Sequence, residues 1–193
     1  MGTRPGWNGL HAGELALLGA LALPGLSAHA DEVMICYNYG CYTRAPVDYN
    51  EEQLGRLRQQ LAAATDARAE RKAISVAIGR MYAIAGEQTP VWRDKGGNYA
   101  DGGDNGKMDC IDHSTNTSAF IGLMQARGWL RFHEGLEPLM RRRFFFAEHR
   151  AARIRERETQ RVYIVDSWFF DNGQPAAVFA VEDWLAGKTP DVQ

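Results

Sequence analysis

The stretch "GKMDCIDHSTNTSAF", residues 106 to 120, sets a cysteine at the point where a glycine-rich loop turns into a helix. Asp109 is a good N-cap type, which places Cys110 in the first turn, where the helix dipole favours negative charge. Asp109, Asp112 and His113 crowd around the thiol. Four readings are open for Cys110: a nucleophile, a metal ligand, half of a disulfide, or a small buried core residue of a type often found buried. The rest of the chain bears on the choice.

Working outward, the pattern downstream is helical through Ile111, Phe120, Leu123 and Met124 to a stop at Gly128, and "FHEGLEPLM" is expected to be a turn or short helix. From Phe144 the signals are for strands: "FFFAEHRAARIRE", "RVYIVDSWFF" and "PAAVFAV", with a tight turn at "DNG" and a closing helical turn at "EDWLAG". The "RRRFFF" run reads as a solvated basic turn entering a buried strand. Upstream, Leu54, Leu57 and Leu61 mark one helical stripe and Ile74, Ile78, Met81 and Ala85 another. Thr65-Asp66 starts a second helix or interrupts a long one, and Gly86 is the expected stop. Residues 87 to 108 hold Pro90 and several glycines and read as a long loop, a length often associated with function. Helices first and an antiparallel meander later predict an α+β fold.

Composition narrows the functional classes. With 24% charged and 45% apolar residues the chain is an ordinary globular mixture, and a net charge of -2 gives no reason to expect nucleic acid as a partner. Residues 15 to 23 are apolar but too few to span a membrane, and Pro24-Gly25 and Ala28-His29-Ala30 follow. That is the pattern of a secretory signal, expected to be cut after Ala30, with no stable membrane insertion afterwards. The alternative is a buried N-terminal helix ended by Pro24-Gly25. The expected organisation is a signal peptide over 1–30 and a single domain over 31–193. That domain comprises an N-terminal helical region (49–86) and a core (about 87–187). In an exported chain the close pair Cys36 and Cys41 is expected to form a disulfide, the alternative being two reduced core thiols. Cys110 then remains as the sole free thiol.

A thiol attacks as thiolate, and an ordinary pKa of about 8.5 leaves it mostly protonated at neutral pH, so a histidine partner is wanted. His113 follows on the same helix and reads as a surface residue or a supporting one. His133 sits in a turn and is expected to be exposed. His149 falls within a strand. If the connection to the next strand is residues 156–159, His149 lies directly opposite Asp166 on the same face, and a carboxylate there would orient the imidazole. Each residue also has a bland reading: His149 as a satisfied structural histidine, Asp166 as a turn-capping carboxylate, and Asp112 as a structural acceptor. A calcium loop is a partial match, with Asp101, Asn105, Gly106 and Asp112 in the first, fifth, sixth and twelfth places. Gly103 in the third place and an Asp in the last argue against it, so no metal is expected. Trp92 and Tyr99 flank the glycine-rich loop and would wall a substrate groove, although most aromatics here should be core.

Asp109-Cys110-Ile111-Asp112-His113 at a helix start, then His149 on a strand, then Asp166 in "YIVDSWF", resembles the transglutaminase-like superfamily in the style of its bacterial cysteine peptidases. The resemblance covers about residues 85 to 185. It implies a papain-like fold, with the cysteine helix packed on an antiparallel sheet, and acyl transfer through a thioester, usually amide hydrolysis of peptides or cell-wall material. Cys110, His149 and Asp166 would be the catalytic residues, and no cofactor is needed. The backbone N–H of Cys110 is the natural oxyanion donor, with Gln88, Trp92 and Asn105 as side-chain candidates. Where many members carry an aromatic after the histidine, this chain has Arg150-Ala151. The alternative expectation is therefore a catalytically inactive periplasmic protein of the same fold that binds a peptide or partner.

Overall fold

The structure is a computed structural model and describes residues 1–3, 31–97, 100–143 and 147–190. The expected signal segment lies, apart from residues 1–3, outside the described residues, as does the Phe144–Phe146 part of the basic-aromatic run.

An antiparallel hairpin, β1 (Asp31–Tyr37) and β2 (Thr43–Tyr49), precedes the helices. The expectation of helices alone ahead of the Cys110 helix is corrected here. Val33, Ile35, Tyr37, Val47 and Tyr49 point inward from the two strands, the alternation that a half-buried hairpin requires. Helix α1 (Glu51–Ala62) begins in a capping box between Asn50 and Gln53 and buries the Leu54–Leu57–Leu61 stripe. Helix α2 (Ala67–Gln88) is capped by Asp66, so the Thr65-Asp66 signal marks a true helix start. It runs past Gly86 and ends at Thr89 before Pro90, which cannot continue it. Gly86 serves close approach instead: a Cβ there would lie 2.8 Å from the Asn172 side chain and 3.1 Å from Trp92. A short 3-10 turn, Pro90–Arg93, opens the long loop.

Helix α3 (Cys110–Ala126) carries the cysteine at its tip, and the chain turns away at Gly128, φ +68°. Its Phe120, Ile121 and Met124 join the α1 and α2 stripes and the hairpin in the main core. Asn116, fully buried, accepts from Cys36 N at 2.7 Å and donates to Cys36 O at 2.8 Å, which fixes β1 to the helix.

The second sheet is an antiparallel meander in the order β3 (His133–Arg143), β4 (Ala147–Glu156), β5 (Val162–Asp166), β6 (Ala177–Ala180), and α4 (Val181–Leu185) follows at once. The fold class is α+β, with α3 packed on β3 and β4. Ala152, Ile154 and Val165 face the main core, whereas Ala151 and Ile164 face the other way and are covered by Trp184 of α4. Two expectations fail at β3. Residues 133–140 are strand rather than turn or short helix, with an irregularity between Leu136 and Leu139 that accommodates Pro138. His133 is completely buried rather than exposed.

His133 belongs to a buried polar cluster that joins α2 to the sheet. Glu70, also fully buried, accepts from Arg131 N at 2.7 Å, Phe132 N at 2.9 Å and His133 Nδ1 at 2.8 Å. Arg71 can only donate, so at 3.3 Å it makes His133 Nε2 the acceptor and Nδ1–H the donor to Glu70. Arg71 also pairs with Glu156 at 2.7 Å. Burial opposes ionisation of Glu70, but the three N–H donors outweigh it and hold its carboxyl below the usual range. Glu70→Ala leaves those donors buried without an acceptor, and is expected to cost about 3 kcal/mol in urea unfolding. A loss below about 1 kcal/mol would show that the donors find other partners.

Candidate active site

The tip of α3 is organised by its own side chains. Asp109, in extended conformation, accepts from Ile111 N at 3.0 Å and Asp112 N at 2.9 Å, and Asp112 reaches back to Asp109 N at 3.2 Å. This reciprocal capping box makes Cys110 the first helical residue, so its N–H has no acceptor within the helix. Cys110 is half-buried and is the free cysteine of the chain.

Two carboxylates crowd the helix tip beside the thiol, and the hairpin turn supplies a donor to each. Asn38, Tyr39, Gly40 and Cys41 all lie in the left-handed region, φ between 58° and 67°. Such a run is rare for residues other than glycine, and it is closed by the Cys36–Cys41 disulfide. The turn directs Gly40 N to Asp109 Oδ2 at 3.0 Å and Cys41 N to Asp112 Oδ1 at 2.6 Å. Burial nonetheless dominates at Asp112; with Asp109's charge adding to it, and the Cys41, Asp109 and Tyr39 N–H groups opposing it, the carboxyl is pushed up to about 6. Asp112 thus holds the turn and the helix tip together.

His149 and Asp166 meet. The connection between β4 and β5 is one residue later than expected, since Arg155 pairs with Val162 and Ala152 with Val165. Continuing that register sets Asp166 across from Ala151 rather than His149. The displacement is two residues along the strand, which preserves the face, and a diagonal contact closes the gap. His149 Nε2 lies 2.7 Å from Asp166 Oδ2. The same oxygen accepts from Trp184 Nε1 at 2.9 Å, and Oδ1 accepts from Trp168 N at 3.2 Å. The imidazole is 6% exposed and packed among Trp168, Trp184 and Phe169, with ring centroids 5.0 to 5.8 Å away. Its Nδ1 is buried and makes no hydrogen bond of ordinary geometry. Burial disfavours the imidazolium, but Asp166, and after it the Cys110 sulfur, outweigh burial and raise the His149 pKa to about 9. Cys110 is therefore close enough to act on the ring's protonation.

Other residues singled out from the sequence are elsewhere engaged. His113 is buried, not on the surface, and lies between Asp94 Oδ2 and Ser167 Oγ, 2.9 Å from each. Gln88 holds the Asp48 backbone through both ends of its amide, at 3.0 and 2.9 Å, which removes it as an oxyanion donor. Asn105 accepts from Asn38 Nδ2 at 3.3 Å. Asp101 accepts from Tyr39 Oη at 2.6 Å and pairs with Lys107 at 2.9 Å. The acidic and amide side chains of the partial calcium loop are thus turned onto the protein. Among the described residues one group, Cys36, Cys41 and Asp112, has ligand-type atoms close enough for a metal, and its two sulfurs are joined to each other. Trp92 is 60% exposed and borders a cavity of about 330 Å³ with Gln88, Arg93 and Asn105. Tyr99 lies outside the described residues. Trp168 and Trp184, assigned from sequence only to the core, are the residues that wall the imidazole; nothing in their local pattern announces that contact.

No known family model matches this chain, and no curated protein or solved structure matches it.

The His149–Asp166 pair has a signed consequence for stability. A folded pKa of about 9 against an ordinary 6.5 gives a contribution complete below about pH 6.5 and lost as pH rises through about 9. Urea midpoints are expected to fall across that window. In Asp166→Asn only the Cys110 sulfur still opposes burial, and this part of the decline should shrink. Identical slopes in the two proteins would contradict the pairing.

Proposed function

We propose that the chain is an exported thiol-dependent hydrolase or acyl transferase, a cysteine peptidase or amidase of transglutaminase-like type, acting on amide bonds of peptides or cell-wall material. The observation that carries the reading is the unpartnered Nδ1 of His149. With Nε2 committed to Asp166, Nδ1 is the one ring atom available to exchange a proton, and the sulfur that perturbs the ring belongs to Cys110. A helix bearing that cysteine on an antiparallel sheet bearing the other two residues supports a papain-like core.

In this mechanism the thiol proton already rests on Nδ1, and the Cys110 thiolate paired with that imidazolium attacks the amide carbonyl. The oxyanion draws on the Cys110 N–H, which has no acceptor within the helix, at the positive end of α3. The imidazolium returns the proton to the departing amine as the C–N bond breaks, leaving a thioester. Water or a second amine, deprotonated by the same ring, then cleaves the thioester and restores the thiolate–imidazolium pair. Asp166 holds the ring in place and stabilises its charged form. No step calls for a cofactor. The disulfide suits an oxidising compartment, and no helix among the described residues is long and apolar enough to cross a membrane.

A second reading, an inactive binder of peptides or partners with the same fold, is favoured by one observation: Gln88, a side-chain candidate for the oxyanion hole, is tied to Asp48. Peptide and cell-wall fragment libraries decide between the two. On any substrate cleaved by the wild type, Cys110→Ala and His149→Ala are expected to lower kcat by about 10³-fold or more. Rapid quenching should trap a thioester on Cys110 detectable by mass. Undiminished turnover by Cys110→Ala would sink the mechanism, and binding without any turnover by the wild type would favour the second reading.

A further inference from the structure

Behind the candidate site lies a second Asp–His–Ser chain. Asp94 Oδ2 is 2.9 Å from His113 Nε2, and His113 Nδ1 is 2.9 Å from Ser167 Oγ. The order imitates a serine nucleophile with its base, but the surroundings do not allow that role. Asp94, His113 and Ser167 are 1%, 3% and 7% exposed. Ser167 Oγ is also in contact with Thr117 Oγ1 at 2.9 Å and Tyr82 Oη at 3.3 Å. A hydroxyl with three buried partners has no open approach for a substrate.

What the chain does touch is both halves of the proposed machinery. Asp94 Oδ1 accepts from Met108 N at 2.8 Å, two residues before Cys110, and His113 lies one turn after it on α3. On the other side Ser167 sits between Asp166 and Trp168, the residues that hold the His149 ring. Their side chains meet the imidazole while that of Ser167 enters the core. Further backbone bonds press the Asp94 loop onto the same segment: Gly97 N donates to Trp168 O at 2.8 Å, and Asn172 N to Asp94 O at 3.3 Å. A Cβ on Gly96 would fall 2.4 Å from the Phe169–Phe170 backbone, so the approach admits only glycine.

We infer that Asp94, His113 and Ser167 form a buried positioning relay that sets the tip of α3, and with it the Cys110 sulfur, against the Asp166–His149 pair. The inference rests on the hydrolase reading and adds to it three residues that touch neither substrate nor thiol. Small errors in such placement are costly, since displacement of a reacting group by about 1 Å can lower a rate by about 10²-fold.

The test is the rate of Cys110 alkylation by iodoacetamide at about pH 6 and about pH 9, conditions that separate a paired thiolate from an ordinary thiol. Ser167→Ala is expected to slow labelling at the lower pH by about tenfold while changing the higher-pH rate less than about twofold. Where a substrate is available, kcat should fall with KM nearly unchanged. Ser167→Thr, which keeps the hydroxyl, should restore most of the loss. If the Ser167→Ala protein has a lowered thermal midpoint but the wild-type ratio of the two rates, the residue is merely structural and the relay is refuted. Should Ser167→Ala not fold, Thr117→Val, which removes one contact to the same oxygen at constant shape, is expected to shift the ratio in the same direction; an unshifted ratio refutes the relay equally. A wild-type chain that labels at the lower pH no faster than a simple thiol overturns the hydrolase reading, and the relay falls with it; fast wild-type labelling with unaltered variants overturns the relay alone.

Discussion

The carboxylate of Asp166 is almost wholly removed from water, and a buried carboxylate is tolerated only when its oxygens are met by donors. Three groups meet it: the His149 imidazole, the Trp184 indole and the Trp168 backbone N–H. Each ties a different piece of chain to the end of β5. His149 brings β4 into diagonal contact, Trp184 brings α4 over the outer face of the sheet, and Trp168 turns the chain out of the strand. The aromatic walls exclude water from the ring and so strengthen its attraction to Asp166. Had the imidazole no carboxylate, only the Cys110 sulfur would oppose the burial that favours its neutral form. The chemistry proposed for Cys110 depends on this balance falling toward the charged form.

The helix tip presents the opposite electrostatic problem. A thiolate gains from the dipole of α3 but must coexist with Asp109 and Asp112, which are needed to cap that helix. The left-handed turn at Asn38–Cys41 answers the conflict by aiming backbone N–H groups at both carboxylates. A conformation so unfavourable for three non-glycine residues needs external bracing. The disulfide closes the turn, Asn116 pins Cys36, and Asn38 is engaged by Asn105 and Gly106. The N-terminal hairpin, remote in sequence, is therefore part of the environment of Cys110.

Much of this was legible in the sequence where one local rule was decisive. The Asp109 cap, the Leu54–Leu57–Leu61 stripe and the start of α2 at Asp66 follow from capping and periodicity, and the close Cys36–Cys41 pair, read together with expected export, points to the disulfide that is present. Pairing of His149 with Asp166 was readable for a subtler reason: a displacement of two residues keeps the face, so the contact survives an error in the loop that a single-residue slip would destroy. Strand β3 is hidden because Gly135, Pro138 and its run of charges break the alternation, and as an edge strand it absorbs them at an irregularity. The burial of His113 and His133 leaves no trace in the sequence, because their partners, Asp94 and Glu70, are supplied by tertiary contacts that no spacing records. Gly86 has the form of a helix stop, whereas the space beside it is needed by Asn172 and Trp92.

The most direct test of the account is a titration of the His149 ring nitrogens by NMR on isotopically labelled protein. The imidazole is expected to remain doubly protonated at neutral pH and to lose its proton at about pH 9. In Asp166→Asn the midpoint should fall well below the wild-type value, because only the Cys110 sulfur then opposes burial. A wild-type midpoint at or below about 6.5, or one indifferent to the loss of the Asp166 charge, would contradict the claim that a carboxylate-held imidazolium faces the Cys110 sulfur.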